Sequence, residues 1–366
     1  MSCPVTPLAV ETGNVVNPYV SGLLGNWRPK NSYAYLEDRL YGQSVDLKDD
    51  GEYVTFDSFW TKGLANSIFT KNETSSNFSK WTTATTATKI DEYGNSLESK
   101  DALGVYSSAV YNNQGNLIIA AGNNAQYGQL AFDGFENYEG RLLKMCPENE
   151  YFGNSEDIPD NHSLSSQSHT GEKSLIIVSQ DVLTYTVNLN TNVIQPQPND
   201  MPYTMKEIDA LFGFGNYESD VAQDYLVSYW VKENSNLVLN DFNGISLSSN
   251  NITIQTGVSK SKVIEGWQKI DQIITIPAGV NTNTTLSFNN TSLNNYLIDD
   301  IRIQPVKSSM KSFVYDYKTL RFIAELDENN FATFYEYDEE GALLRVKKET
   351  VRGIQTIQES RNHSSK

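Results

Sequence analysis

Positive charge, cysteine, histidine and long apolar runs are all scarce in this sequence of 366 residues. Only 28 Lys and Arg stand against 45 Asp and Glu, and the net charge of −17 repels phosphate, which excludes nucleic acid and anionic membrane surfaces as partners. Two cysteines, Cys3 and Cys146, are too few for a disulfide framework, and their spacing matches no zinc motif. Three histidines, His162, His169 and His363, leave little from which to build a Ser-His-Asp or zinc centre. Gly213 and Gly215 lack the third glycine and the strand-to-helix setting of a dinucleotide loop. The expectation is therefore a protein that is not an enzyme, although 45 acids leave open a carboxylate pair suited to glycoside hydrolysis. No stretch approaches the ~20 apolar residues that cross a bilayer. Met1 to Lys30 does not read as a signal peptide, having no positive charge before Arg28 and no sustained apolar run. On these grounds the chain is either cytoplasmic or a piece of a longer secreted protein.

What is present points to strands. Apolar residues make up 39% of the chain, enough for a packed core, and 21 Tyr, 15 Phe and 5 Trp sit among abundant Thr, Ser and Asn. Period-two segments run through Leu226–Val231, Lys269–Ile276, Tyr296–Ile303 and Ala332–Tyr337, each predicting a strand. Turn signals such as Glu340-Gly341, Tyr93-Gly94-Asn95 and Asn243-Gly244 punctuate them. One short helix is predicted over Met205 to Phe212, opened by Thr204 with Glu207 in capping-box spacing. Charge is unevenly distributed: residues 1–128 carry 9 basic and 13 acidic groups, residues 129–306 carry 9 and 22, and residues 307–366 carry 10 of each. The acid belongs mostly to the middle part, and three segments with those bounds are expected.

In the middle segment, short motifs follow one another in a recognisable order. Phe132-Asp133-Gly134-Phe135-Glu136 comes first, His169-Thr170-Gly171-Glu172-Lys173-Ser174-Leu175 next, and Leu297-Ile298-Asp299-Asp300-Ile301 last, with the Tyr225 and Trp267 strands between. Their joint order resembles the jelly-roll β-sandwich of the galactose-binding-like, carbohydrate-binding-module type. That resemblance implies a structural calcium ion held by Glu136 and Asp300, with Asp133 or Asp299 as a further carboxylate and carbonyls around Thr170 and Lys173 completing an oxygen shell. The other reading of the same residues is that Asp299 and Asp300 solvate a strand end and Glu136 pairs with a nearby cation. It also implies a glycan or cell-surface polysaccharide as partner, stacked on an exposed ring. Candidates are Tyr217 in the Gly213–Glu218 loop, Trp267 and Trp230, although Trp230 lies in an alternating apolar strand that suits a core. The Pro- and Asn-rich stretch from Thr184 to Asp224 departs from compact members of the family.

The flanks carry another signature. Tyr315-Asp316 and Tyr337-Asp338 are each followed by Leu and Arg at a spacing of about 22 residues, and Ile90–Glu98 running into Asp101–Gly104 is a looser copy. These resemble the tyrosine-aspartate (YD, or Rhs) repeat, in which Asp-x-x-Gly makes a hairpin turn and each hairpin needs neighbours to bury it. With Asn17–Pro29, Asp101–Ala109 and Ala324–Thr333, the whole chain resembles the C-terminal portion of large secreted or surface YD-repeat proteins of Bacteroidota. The expected fold is mainly β, a jelly-roll sandwich (129–306) flanked by YD-type hairpin segments (1–128 and 307–366). The resemblance implies an extracellular or cell-surface location and, as partner, the rest of a larger YD-repeat polypeptide.

Overall fold

A computed structural model describes residues 29–36, 56–62, 69–73, 75, 77–90, 95–112, 117–136, 163–188, 222–233, 245–250, 252–277, 283–316 and 318–360. The predicted helix at Met205, the turns at Gly94 and Gly244, Tyr217, both cysteines, His162, His363, most of Asn17–Pro29 and most of the stretch from Thr184 to Asp224 lie outside them. Among the described residues no helix is long and apolar enough to cross a membrane.

The chain is mainly β. Its first part forms β1 (Asn31–Tyr35), β2 (Trp60–Lys62), β3 (Phe69–Lys71), β4 (Trp81–Ile90), β5 (Ser96–Asp101), β6 (Tyr106–Asn112) and β7 (Leu117–Asn123). The middle forms β8 (Ala131–Asp133), β9 (Ser163–Ser165), β10 (Ser174–Ile177), β11 (Val182–Asn188), β12 (Gln223–Glu233), β13 (Ile245–Ser249), β14 (Thr253–Lys260), β15 (Gln268–Ile276), β16 (Asn283–Asn290) and β17 (Tyr296–Pro305). The last part forms β18 (Ser309–Tyr315), β19 (Phe322–Leu326), β20 (Ala332–Tyr337), β21 (Leu343–Thr350) and β22 (Gly353–Glu359). All four segments with two-residue periodicity fall within strands: β12, β15, β17 and β20.

Two sheets of the middle segment face each other. A seven-stranded sheet runs β14-β15-β12-β17-β10-β9, with β8 also on β17, and a three-stranded sheet runs β11-β16-β13. Alternate residues of β12, Tyr225, Val227, Tyr229 and Val231, point into the space between them and pack with Leu286 and Phe288 of β16 in one core cluster. The Tyr229 and Phe288 rings meet edge to face at 5.1 Å. This is the expected sandwich.

The flanks behave in a way that two separate segments do not capture. One ten-stranded antiparallel sheet takes β1 and β4 to β7 from the N-terminal side and β18 to β22 from the C-terminal side. The join is β7 on β18, with Ser309 opposite Asn123 and Ser312 opposite Ala120. The sandwich is thus inserted between two adjacent strands of a single meander. Three of its described hairpins share a turn chemistry. Asp101, Asp327 and Asp338 each donate their N–H to the carbonyl four residues on, and each side chain accepts backbone N–H groups of its own turn. The fourth residue of each, Gly104, Asn330 or Gly341, is left-handed, with φ of 84, 63 and 91°.

Candidate functional site

β17 is buried along all ten residues, and its edge facing away from β12 changes partner midway. Tyr296 to Ile298 pair with β10, while Ile301 to Ile303 pair with β8. Asp299 and Asp300 occupy the gap. On the other edge the register slips between Ser228 and Trp230, and Asp300 takes φ of 48°, the mark of a β-bulge. The bulge places two successive carboxylates at one point, both fully buried.

The turn after β9 closes over them. Asp299 Oδ2 accepts the N–H groups of His169 at 2.7 Å and Thr170 at 3.4 Å, and Asp299 Oδ1 accepts the Asp300 N–H at 2.8 Å. The Thr170 hydroxyl lies 2.8 and 2.9 Å from the two Asp300 oxygens. Glu136 arrives from the loop after β8, and its Oε1 accepts the N–H groups of Glu172 and Lys173, each at 2.8 Å. A Cβ placed on Gly171, whose φ is +67°, would stand 2.1 Å from that oxygen, so glycine is required for the carboxylate to lie against the turn. Asp133, buried on β8, accepts the Phe135 N–H at 2.9 Å.

His169 is the hub. Its Nδ1 lies 2.7 Å from Asp300 Oδ2 and its Nε2 3.1 Å from Glu349 Oε1, so both nitrogens donate and the ring is an imidazolium. It stacks on the Trp230 indole at 3.9 Å and 16°, with the Trp267 ring edge-on at 5.9 Å. Burial alone would lower its pKa, but the hydrogen bonds to Asp300 and Glu349 outweigh that and lift it to about 9. The acids go the other way from solvent-exposed ones. Burial pushes Glu136 up to about 8, against the pull of its two backbone donors, and Asp300 adds repulsion. Asp299 is held well above the carboxylate range by burial and by the neighbouring Asp300 charge. Arg302, buried on β17, is lowered to about 10 by desolvation, with Asp300 opposing. Asp299, Asp300 and Glu349 are buried and Glu136 is half-buried, so four carboxyl groups, two of them with raised pKa, stand near the buried cations His169 and Arg302.

The residues singled out in the sequence therefore separate. Glu136, Asp299, Asp300 and Thr170, with the Lys173 amide, are brought together, and Asp133 lies on the strand beside them. Trp230 is 0% exposed and Trp267 4%, so neither offers a ring face to solvent in this conformation. Among the described residues, no group of three or more His, Cys, Asp or Glu side chains stands in a geometry ready to hold a metal, because the carboxylate oxygens are turned to amides, a hydroxyl and the imidazole. Sequence reasoning missed Glu349, Arg302 and Asn330. The polar alternation Asp300, Arg302, Gln304 along a strand otherwise apolar was the available signal for Arg302. Glu349 carries none, since β21 reaches the site only through tertiary packing.

No family profile matches the sequence, and no curated protein is similar to it. A solved structure of a Family 16 Carbohydrate Binding Module-2 is similar over 39% of this chain and 86% of its own length, with a TM-score of 0.22 and 8% identity.

Proposed function

We propose that the chain is a non-enzymatic, secreted or cell-surface binding module within a longer YD-repeat polypeptide, its sandwich held by a calcium ion and its ligand a glycan. The observation that carries the reading is the convergence of the Glu136, Asp299 and Asp300 carboxyl groups on one point, with Glu136 and Asp299 held above their ordinary pKa by burial and by neighbouring acid. The donor set fits a hard divalent cation. It is dominated by carboxyl, hydroxyl and carbonyl oxygens, and a divalent ion would take the place of the protons that burial favours on Glu136 and Asp299. Glu136, Asp299, Asp300 and Asp133 would supply carboxylates, with carbonyls around Thr170 and Lys173, and these oxygens would exchange hydrogen bonds for the ion. Its part would be structural, tying β8 and the His169 turn to β17. The glycan rests on the order of the sequence motifs together with the sandwich, and Tyr217 is the ring candidate to test first. A glycan array probed with the full chain in calcium tests this. Saturable binding to a sugar, weakened by Tyr217→Ala, is expected, and silence across a broad array contradicts it.

A second reading has its own support. The burial of Trp230 and Trp267 favours a purely structural sandwich that braces the ten-stranded sheet and recognises no ligand. It predicts that silence.

A further inference from the structure

Among the described tryptophans, Trp230 and Trp267 are buried and Trp81 is half-buried, while Trp60 is 53% exposed. It stands on the β2-β3 ribbon, outside the two sheets of the sandwich. The ring is braced from behind by Phe59, which meets it edge to face at 5.0 Å. Phe59 is itself buried, its ring 4.3 Å from Tyr33, 5.4 Å from Trp81 and 5.6 Å from Phe78. The backbone beneath is held as well. Asn72 donates its N–H to the Phe59 carbonyl at 2.8 Å and its Nδ2 to the Ser58 carbonyl at 3.2 Å, and Ser58 Oγ donates to the Trp60 carbonyl at 3.0 Å. An exposed indole on a braced backbone offers a flat apolar face and loses little conformational freedom when a ligand covers it.

The charge beside the ring is opposite in sign to that of the chain. Lys71 is paired with Trp60 across the ribbon, and Lys62 follows Trp60 by two residues, so the indole and both ammonium groups share one face. All three side chains are exposed. Lys71 Nζ lies 5.8 Å from the Tyr33 ring, and neither lysine takes an ion-pair partner among the described residues. Asp57, the acid nearest to Trp60 in the sequence, is turned to its own loop by the Ser75 hydroxyl and by Asn77 Nδ2. From Phe56 to Trp81 the sequence carries Lys62, Lys71 and Lys80 against Asp57 and Glu73, a local excess of positive charge in a chain of net −17. Salt screens the more distant acids beyond about 8 Å, so a short anion meets the local field. We propose that Trp60, Lys62 and Lys71 form a binding site for an anionic glycan, with the indole stacked on the C–H face of a pyranose and the ammonium groups paired with its carboxylate or sulfate groups. A neutral sugar would leave the two ammonium groups unpaired, and a simple polyanion would leave the indole bare. The site uses none of the residues of the Tyr217 and calcium readings and stands if either fails.

The test uses the full chain in chelator and reads affinity by calorimetry, with an oligogalacturonate and a dextran sulfate oligomer as anionic probes. Saturable binding of at least one of them is expected, weakened about tenfold or more by Trp60→Ala and also by Lys62→Gln combined with Lys71→Gln. The methyl ester of the first and plain dextran for the second, the same sugars without the charge, are expected to bind about tenfold or more weakly than their anionic counterparts. Because Trp60 is exposed, the alanine variant should keep the melting temperature of the parent, and the lysine pair decides the matter if it does not. Silence from both anionic probes would overturn the proposal. So would neutral sugars bound as tightly as the anionic ones, or poly-glutamate bound as tightly, which would mark a site for acidic peptide. Loss of binding in Tyr217→Ala, with Trp60→Ala unaffected, would overturn this site while sparing the glycan reading of the Tyr217 loop.

Discussion

His169 holds two carboxylates from different parts of the chain, and its removal takes a cationic partner from each in a buried place, leaving Asp300 the Thr170 hydroxyl and Glu349 the Ala332 N–H. His169→Gln is expected to cost about 3 kcal/mol or more, read by denaturant unfolding, because uncompensated buried charge is expensive. A cost near zero would mean that the neutral donors Thr170 and Ala332 suffice for Asp300 and Glu349. The sign with pH follows from the same contacts. The folded-state value of about 9 lies above the ordinary 6.5, so the stability this ring contributes is complete below about pH 6.5 and is lost as pH rises through 9. Glu136, raised to about 8 from 4.5, works in the same direction, since the folded chain holds its proton more tightly. In chelator, the melting temperature should therefore fall between pH 6 and pH 9.5, less steeply in His169→Gln; a flat profile contradicts the assignment. Gly171→Ala tests the turn, where a methyl group meets Glu136 Oε1 at 2.1 Å in a left-handed backbone. A loss of about 2 kcal/mol or more is expected by thermal unfolding, and a neutral result would show that Glu136 does not lie against the turn.

At the scale of elements, the hairpin turns can be tested singly. Gly341 has φ of +91°, and a Cβ there would meet Arg321 Nη2 at 2.5 Å. Arg321 is flexible enough to move, so backbone strain decides the outcome, and Gly341→Ala should cost about 1 kcal/mol while Gly341→Asn costs less. Equal costs for the two would place the penalty in the contact. The central strands were legible in the sequence because one face of each is apolar and the other polar, or because a long apolar run has nowhere to go but a sheet interior. β11, β13 and β16 were not singled out although each alternates, with Leu183, Tyr185 and Val187, Ile245 and Leu247, and Leu286 and Phe288 set among Thr, Ser and Asn; the runs are short and their polar residues also suit turns. The carboxylate cluster was legible from motif order, since Glu136, His169, Thr170, Asp299 and Asp300 all belong to one sandwich. Glu349 and Asn330 were not, because their roles depend on how a second sheet packs. Glu349 lies 180 residues from His169, and Asn330 lies 102 residues from Ser228.

For the whole molecule, the sandwich interrupts a meander between β7 and β18, and the two bodies are bound by more than their connections. Leu130 and Phe132, at the entry to the sandwich, pack with Val110, Met310 and Leu326 of the ten-stranded sheet, and Arg302 donates to the Met310 carbonyl. The net charge of −17 acquires a location in this arrangement. Of the eight acids between Asp133 and Asp160, Asp133 and Glu136 fall among the described residues, beside the buried pair on β17. A cluster of carboxyl groups at the point where sandwich, hairpin sheet and His169 meet is what the calcium proposal accounts for. Calcium titrated into the chelator-stripped full chain, followed by calorimetry and by melting temperature, tests it most directly. Saturable binding at one site is predicted, with about 3 kcal/mol of added stability at a hundredfold excess over Kd and both effects lost in Glu136→Gln. An absence of binding heat, with a melting temperature unchanged at millimolar calcium, would contradict it.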